Sequence, residues 1–178
     1  YRCNVGRGIL AVNPIADLPK PGAKTRRART LSDGEVANVW ASADGMRYPF
    51  GPITKLLILT AARRDEIGAL QWNEVDREAR LIRLAGTRTK NGEPHLIPLA
   101  PQALAILDSL PRIGRAGYVF TGTGETPVSG WSRAKANLDR KLAAAGKAKA
   151  ERLGIANEPM PQWRIHDLRR TAATGMQA

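Results

Sequence analysis

Two short stretches and one lysine hold the residue types that could manage a negatively charged oxygen. His166-Asp167-Leu168-Arg169-Arg170-Thr171 sets a histidine and an arginine three residues apart, which on a helix is one face. Arg170 stands beside Arg169 but off that face. A guanidinium is a planar, permanently charged fork that can grip two oxygens, and an imidazole exchanges protons near neutral pH. Together they suit an oxyanion better than they suit a core. Alone, the stretch also reads as a basic helix start on a solvated face.

Arg63-Arg64-Asp65-Glu66 directly follows the most apolar run of the chain, Leu56-Leu57-Ile58-Leu59. A charge brought to the edge of a core is not left unpaired there. Glu66, three residues after Arg63, is placed to hold its guanidinium; the alternative is an exposed ion pair of little energetic weight. Lys90 precedes Asn91-Gly92, the strongest short-range hairpin signal, because both turn residues accept positive φ. A lysine near a hairpin tip can reach into a site and donate a proton if neighbouring cations lower its pKa. Keeping a sheet edge soluble is the commoner use of such a residue.

The elements that must position these groups follow from periodicity. Ser32 and Glu35 form a capping box, with Val36, Val39 and Trp40 striping the helix behind it. A buried helix is predicted over 53–62 and a short one over 63–70. Strands are predicted at 80–84 and 95–99, a helix at 101–110, and a short apolar segment at 118–120. A longer helix runs from Ser129 or Ser132 to about Gly146, with Trp131, Leu138 and Leu142 inside and Arg133, Lys135, Arg140 and Lys141 outside; the alanine-rich Lys147 to Arg152 either extends it or forms a loop. Pro159 and Pro161 force a break before the histidine stretch. The predicted fold is mainly α with a small antiparallel β-sheet of two or three strands, an α+β domain over residues 30–178. Residues 1–29 carry seven basic groups against Asp17 alone, interrupted by prolines and glycines. They read as the tail of a preceding module followed by a basic linker. Lys24, Arg26 and Arg27 there are candidates to track a phosphate backbone.

Composition narrows the partner. Twenty-eight Lys and Arg against sixteen Asp and Glu leave a net charge of +12. A strongly basic globular domain pairs most often with nucleic acid. No apolar run is long enough to span a membrane, and no charged-then-apolar leader opens the sequence. Two histidines and one cysteine, Cys3, offer no metal-ligand spacing and no internal disulfide. Neither a phosphate-cradling glycine loop nor a nucleophile elbow is present, so hydrolysis of a nucleotide is not indicated.

In combination the stretches resemble the catalytic domain of the tyrosine recombinase, or phage integrase, family. Thr60-Ala61-Ala62-Arg63-Arg64-Asp65-Glu66 matches the family's Thr-Gly-x-Arg-x-x-Glu box, with alanine for glycine, and Ile67 to Asp76 continues the pattern. Thr89-Lys90-Asn91-Gly92 and His95 to Leu99 resemble the segment of the family's lysine, and His166 with Arg169 the His-x-x-Arg box. The resemblance implies catalytic roles for Arg63, Lys90, His166 and Arg169, support from Glu66, and DNA contacts by Arg64, Arg88 and Arg170. It also implies that residues 1–29 hold a remnant of an N-terminal DNA-binding domain. It implies site-specific recombination of double-stranded DNA through a 3′-phosphotyrosine, without metal, ATP or other cofactor, in the bacterial cytoplasm or nucleoid. Relaxation of the type IB topoisomerase kind shares this chemistry. A DNA-binding protein that occupies sites without cutting, and a basic nucleic-acid protein with coincident motifs, are the other readings.

One departure matters. The family's nucleophilic tyrosine lies several tens of residues beyond the His-x-x-Arg box, whereas Tyr1, Tyr48 and Tyr118 all precede it. The expectation is therefore a fragment of a larger integrase, truncated before its nucleophile, monomeric and unable to cleave DNA alone. The full-length protein is expected to assemble on DNA as a tetramer.

Overall fold

In the computed structural model, residues 29–89 and 91–176 are described. The first helix, α1 (Asp33–Asp44), starts as its capping box requires. Ser32 Oγ accepts from the Glu35 N–H at 3.3 Å, and Glu35 Oε2 accepts from the Ser32 N–H at 2.9 Å.

The central helix is α2 (Phe50–Thr60), in which Ile53, Leu56 and Leu57 are at most 2% exposed. Its apolar residues cover more than one face, so it is packed on several sides: by α1, by α4 (Pro101–Asp108) and by α6 (Ile165–Gly175). It stops at Ala61, whose φ of 50° is left-handed. A three-residue turn then leads into α3 (Arg64–Gly68). The helix predicted over 63–70 is thus confined to five residues, because the backbone is extended at Arg63 and α3 has closed by Ala69.

β1 (Val75–Asp76), β2 (Leu81–Leu84) and β3 (His95–Pro98) form an antiparallel sheet in that order, with Ile82 paired to both Val75 and Ile97. Ile82, Leu84 and Ile97 point into the core, and the alternation along the strands fixes the register. Asn91-Gly92 is not a two-residue hairpin turn. Pairing ends at Leu84 and His95, and the intervening loop contains a 3₁₀ turn, Gly86–Arg88. Arg80, predicted in a strand, lies outside it at a φ of 54°.

The long helix α5 runs Trp131–Leu153, past the predicted end at Gly146, because the alanine-rich Lys147 to Arg152 continues it. Leu138 and Leu142 are buried as expected; Trp131 is half-buried and meets Phe50 edge-on at 5.4 Å. The start of the domain is tied to α6: Thr171 Oγ1 accepts from the Leu31 N–H and donates to the Asp167 carbonyl, both at 2.8 Å. No described helix is long and apolar enough to cross a membrane.

Candidate active site

The turn between α2 and α3 carries the first half of the site. Thr60 Oγ1 donates to the Leu56 carbonyl and accepts from the Ala62 N–H, which ends α2 sharply. Arg63 then serves as N-cap of α3, where Glu66 Oε2 accepts its backbone N–H at 2.7 Å while Oε1 receives its guanidinium Nη1 at 2.5 Å. One carboxylate therefore satisfies the helix end and orients the fork. The Glu66 side chain is 3% exposed and that of Arg63 34%, so the anion is inside and the cation faces out.

The second half comes from α6. Its start repeats the device: Asp167 Oδ2 accepts the Arg164 N–H at 2.8 Å, and Asp167 and Leu168 are buried. Arg169, one turn from His166, reaches across to α2, where its Nη1 donates to the Ala61 carbonyl at 2.6 Å and lies 4.0 Å from Glu66 Oε2. Residues 108 positions apart are thus joined at the carbonyl that the left-handed turn presents. Arg63 and Arg169 converge on one buried carboxylate, and both side chains remain partly exposed to solvent.

That turn costs something here. Alanine in the left-handed region is strained by roughly 1–2 kcal/mol, while glycine is free there but loses more backbone entropy on folding, about 0.5–1 kcal/mol. Ala61→Gly is expected to raise stability by about 0.5–1 kcal/mol, read in urea melts, with the Arg169 contact intact.

His166 stands exposed on α6. Its pKa is lowered from the usual 6.5 by partial loss of solvent first, then by the charges of Arg170 and Arg169, with Arg63 adding and Asp167 opposing. The imidazole is neutral at pH 7, able to accept a proton. A lowered pKa means the unfolded chain binds the proton more tightly, so His166 costs no stability above pH 6.5 and a growing amount as pH falls towards the lowered value. In an NMR titration, the His166 midpoint is expected below 6.5, and Arg170→Gln is expected to raise it only part of the way, burial remaining.

Glu66 shows the opposite balance. Burial pushes its carboxyl up, but the Arg63 N–H, the Arg63 side chain and the Arg63 and Arg169 charges outweigh this and hold it below 4.5.

Other candidates are placed differently. Arg64 pairs with Asp65 at 2.9 Å and lies over the Trp131 ring at 5.3 Å. Arg170 is partly covered beside Arg169. Arg88 turns back onto α3, with Nη1 donating to the Ala69 carbonyl at 2.7 Å. Glu74 is not among the candidates the sequence offers; a carboxylate three residues after Gln71, the capping-box spacing, is the signal for it. Lys90, Lys24, Arg26 and Arg27, with the linker over 1–28, lie outside the described residues. An open cleft of about 1000 Å³ between α1 and α5 is bordered by none of Arg63, Glu66, His166 or Arg169. Arg63, His166 and Arg169 sit on open surface over buried Glu66, which admits a polymer more readily than it encloses a small ligand.

The described fold is shared with solved integrase structures. The lambda integrase dimer bound to a COC′ core site superposes over 97% of this chain and 60% of that chain, with TM-score 0.59 and 21% identity. The Tn1549 transposon integrase in complex with transposon right end DNA superposes over 98% of this chain and 62% of that one, with TM-score 0.68 and 15% identity. The sequence pattern of the phage integrase family matches residues 38–178, and the chain belongs to that family. Prophage integrase IntZ of Escherichia coli is 33% identical over 152 residues, 82% of this chain and 34% of that protein. Tyrosine recombinase XerD of Mycobacterium tuberculosis is 30% identical over 182 aligned positions, covering 98% of this chain and 56% of the relative. The chain thus spans about half of these relatives' length or less.

Proposed function

We propose that this chain supplies most of the catalytic domain of a site-specific DNA recombinase, with Arg63 and Arg169 as the clamp on the scissile phosphate. The observation that carries the reading is the convergence of both forks on buried Glu66 while the Arg63 and Arg169 side chains stay 34% and 29% exposed. A phosphodiester under attack gathers charge on its non-bridging oxygens, and prepositioned cations stabilise that charge without reorganising. Each charge-assisted contact is worth roughly 1.5–3 kcal/mol.

In this reading a tyrosine oxygen bonds to phosphorus as the bond from phosphorus to the 5′ oxygen breaks. Neutral His166 takes up the phenol proton and contacts the phosphate, and Lys90 protonates the departing 5′ oxygen. The product is a 3′-phosphotyrosine and a 5′-hydroxyl, and the covalent link conserves the bond for rejoining. The nucleophile is taken to come from outside residues 1–178. Among the described tyrosines, the Tyr48 hydroxyl is already engaged, donating to the Val119 carbonyl and accepting from the Thr121 N–H, both at 3.0 Å. Arg64 and Arg170, with Lys24, Arg26 and Arg27 of the linker, are assigned to DNA contacts. The intact protein is taken to act as a tetramer on DNA in the bacterial cytoplasm or nucleoid, and the present chain alone to be monomeric.

A nicked duplex that loses its 5′-hydroxyl fragment on cleavage traps the covalent state and tests this. The 178-residue chain is expected to bind duplex DNA, with affinity falling steeply in salt, and to form no adduct. A recombinase containing it is expected to form a 3′-phosphotyrosine. An adduct on the chain alone would place the nucleophile within it. Binding without cleavage by the intact protein would favour a site-occupying role, and relaxation without strand exchange a topoisomerase.

A further inference from the structure

Arg88 precedes Lys90 by two residues and has no part in the steps above. Its fork spans the far end of α3 from Arg63: Nη1 donates to the Ala69 carbonyl at 2.7 Å, and Nη2 lies 3.5 Å from the Glu66 carbonyl. Its Nε is 3.5 Å from Glu74 Oε1, and the other Glu74 oxygen is fixed by the Gln71 N–H at 2.8 Å. The Arg88 side chain is 24% exposed and that of Glu74 12%. The last carbonyls of a helix lack intrahelical partners and form the negative end of its dipole. A helix of five residues has few bonds of its own, so a cation held against those carbonyls fixes where it lies.

On its other side Arg88 belongs to a loop closed on itself. Its N–H donates to the Ala85 carbonyl at 2.9 Å, the Thr89 N–H to Gly86 at 3.1 Å, and Thr89 Oγ1 to Glu93 at 2.7 Å. A Cβ at Gly86 would collide with the Gly92 carbonyl, so the two arms of the loop touch. The described residues of the two arms are thus tied to each other, and Arg88 ties them to the end of α3.

We propose that Arg88, backed by Glu74, is a positioning residue that docks the loop bearing Lys90 onto the helix bearing Arg63 and Glu66. It thereby sets the reach of the proton donor to the phosphate that the clamp holds. This rests on the catalytic reading above. A general acid must come within about 2.6–3.2 Å of the oxygen it protonates, and a displacement of ~1 Å can cost ~10²-fold in rate.

The test compares two substrates in the intact recombinase, one with the natural 5′ bridging oxygen and one with sulfur there. Oxygen must take a proton as its bond to phosphorus breaks. Sulfur leaves as a thiolate, since thiols ionise near a pH of about 8.5, and takes none. Arg88→Ala is expected to slow single-turnover cleavage of the oxygen substrate roughly 10–100-fold, less than the ~10²–10⁴ a general acid supplies, because the lysine is displaced and not removed. Cleavage of the sulfur substrate is expected to stay within about threefold of wild type, and DNA affinity likewise. Glu74→Gln, which keeps an oxygen for the Gln71 N–H and removes the charge facing Arg88, is expected to give the same pattern more weakly.

Equal slowing on both substrates would overturn the proposal, as would no slowing. A loss of affinity with a reduced salt slope and no slower cleavage would make Arg88 a phosphate contact instead. Two controls isolate the underlying reading: Lys90→Ala rescued by sulfur, and Arg63→Ala slow on both substrates. If those fail, the catalytic assignment falls; if they hold and Arg88→Ala does not follow, only the positioning role falls.

Discussion

Arg169→Ala in the intact recombinase is expected to slow DNA strand cleavage by about 10²–10³-fold, the usual cost of removing one prepositioned donor from a developing oxyanion. Duplex affinity is expected to change little, because one phosphate contact is lost from a chain of net charge +12. The split separates a transition-state role from general DNA attraction, and single-turnover cleavage beside a salt-dependent binding curve reads both. Arg169→Lys is expected to recover little. An ammonium cannot donate to the Ala61 carbonyl and still present a planar fork to phosphate. Because Arg63 and Arg169 share Glu66, the double variant is expected to lose less than the product of the single losses. Cleavage by Arg169→Ala at the wild-type rate would end the clamp assignment.

The second large effect is on stability. Glu66→Ala removes the acceptor of the Arg63 N–H and of its guanidinium, and the nearest carboxylate to Arg169. Breaking a buried pair by deleting one partner costs about 3–5 kcal/mol, and with Arg63 34% exposed the low end applies, about 3 kcal/mol. That corresponds to a melting temperature lower by roughly 6–12 °C for a domain of this size. The sign of the pH dependence follows from the depressed carboxyl. The stabilisation by ionised Glu66 is fully present above pH 4.5 and is lost as pH falls through the lowered value. Against Glu66→Gln, the wild-type advantage is therefore expected to shrink in paired melts as pH falls below 4.5 and through the lowered value. A constant gap would mean that Glu66 is not held as the ionised partner of Arg63.

The pairing of Arg63 with Glu66 was legible because it is local: three residues at a helix start place a carboxylate under both the N–H and the fork. The face shared by His166 and Arg169 was legible for the same reason. The loop before β3 was legible only in part. Asn91-Gly92 marks a turn, but where pairing stops depends on Leu84 and Ile97 being buried together and on Arg88 being drawn to α3. Neither condition is carried by the turn residues.

What the sequence by itself determined is the strongly basic charge, the helices with their caps, the strand periodicity and the residue pairs within one turn of each other. Each depends on charge or on backbone geometry over a few residues. Only the tertiary structure decided that Arg169 meets Ala61 and Glu66 across 108 and 103 positions, since 169 − 61 = 108 and 169 − 66 = 103. That meeting needs α2 packed on several sides, α6 laid against it, and a left-handed residue turning one carbonyl outward. Hydrophobic burial drives such packing without direction, so the spacing of apolar residues shows that α6 has a face to bury but not which helix receives it.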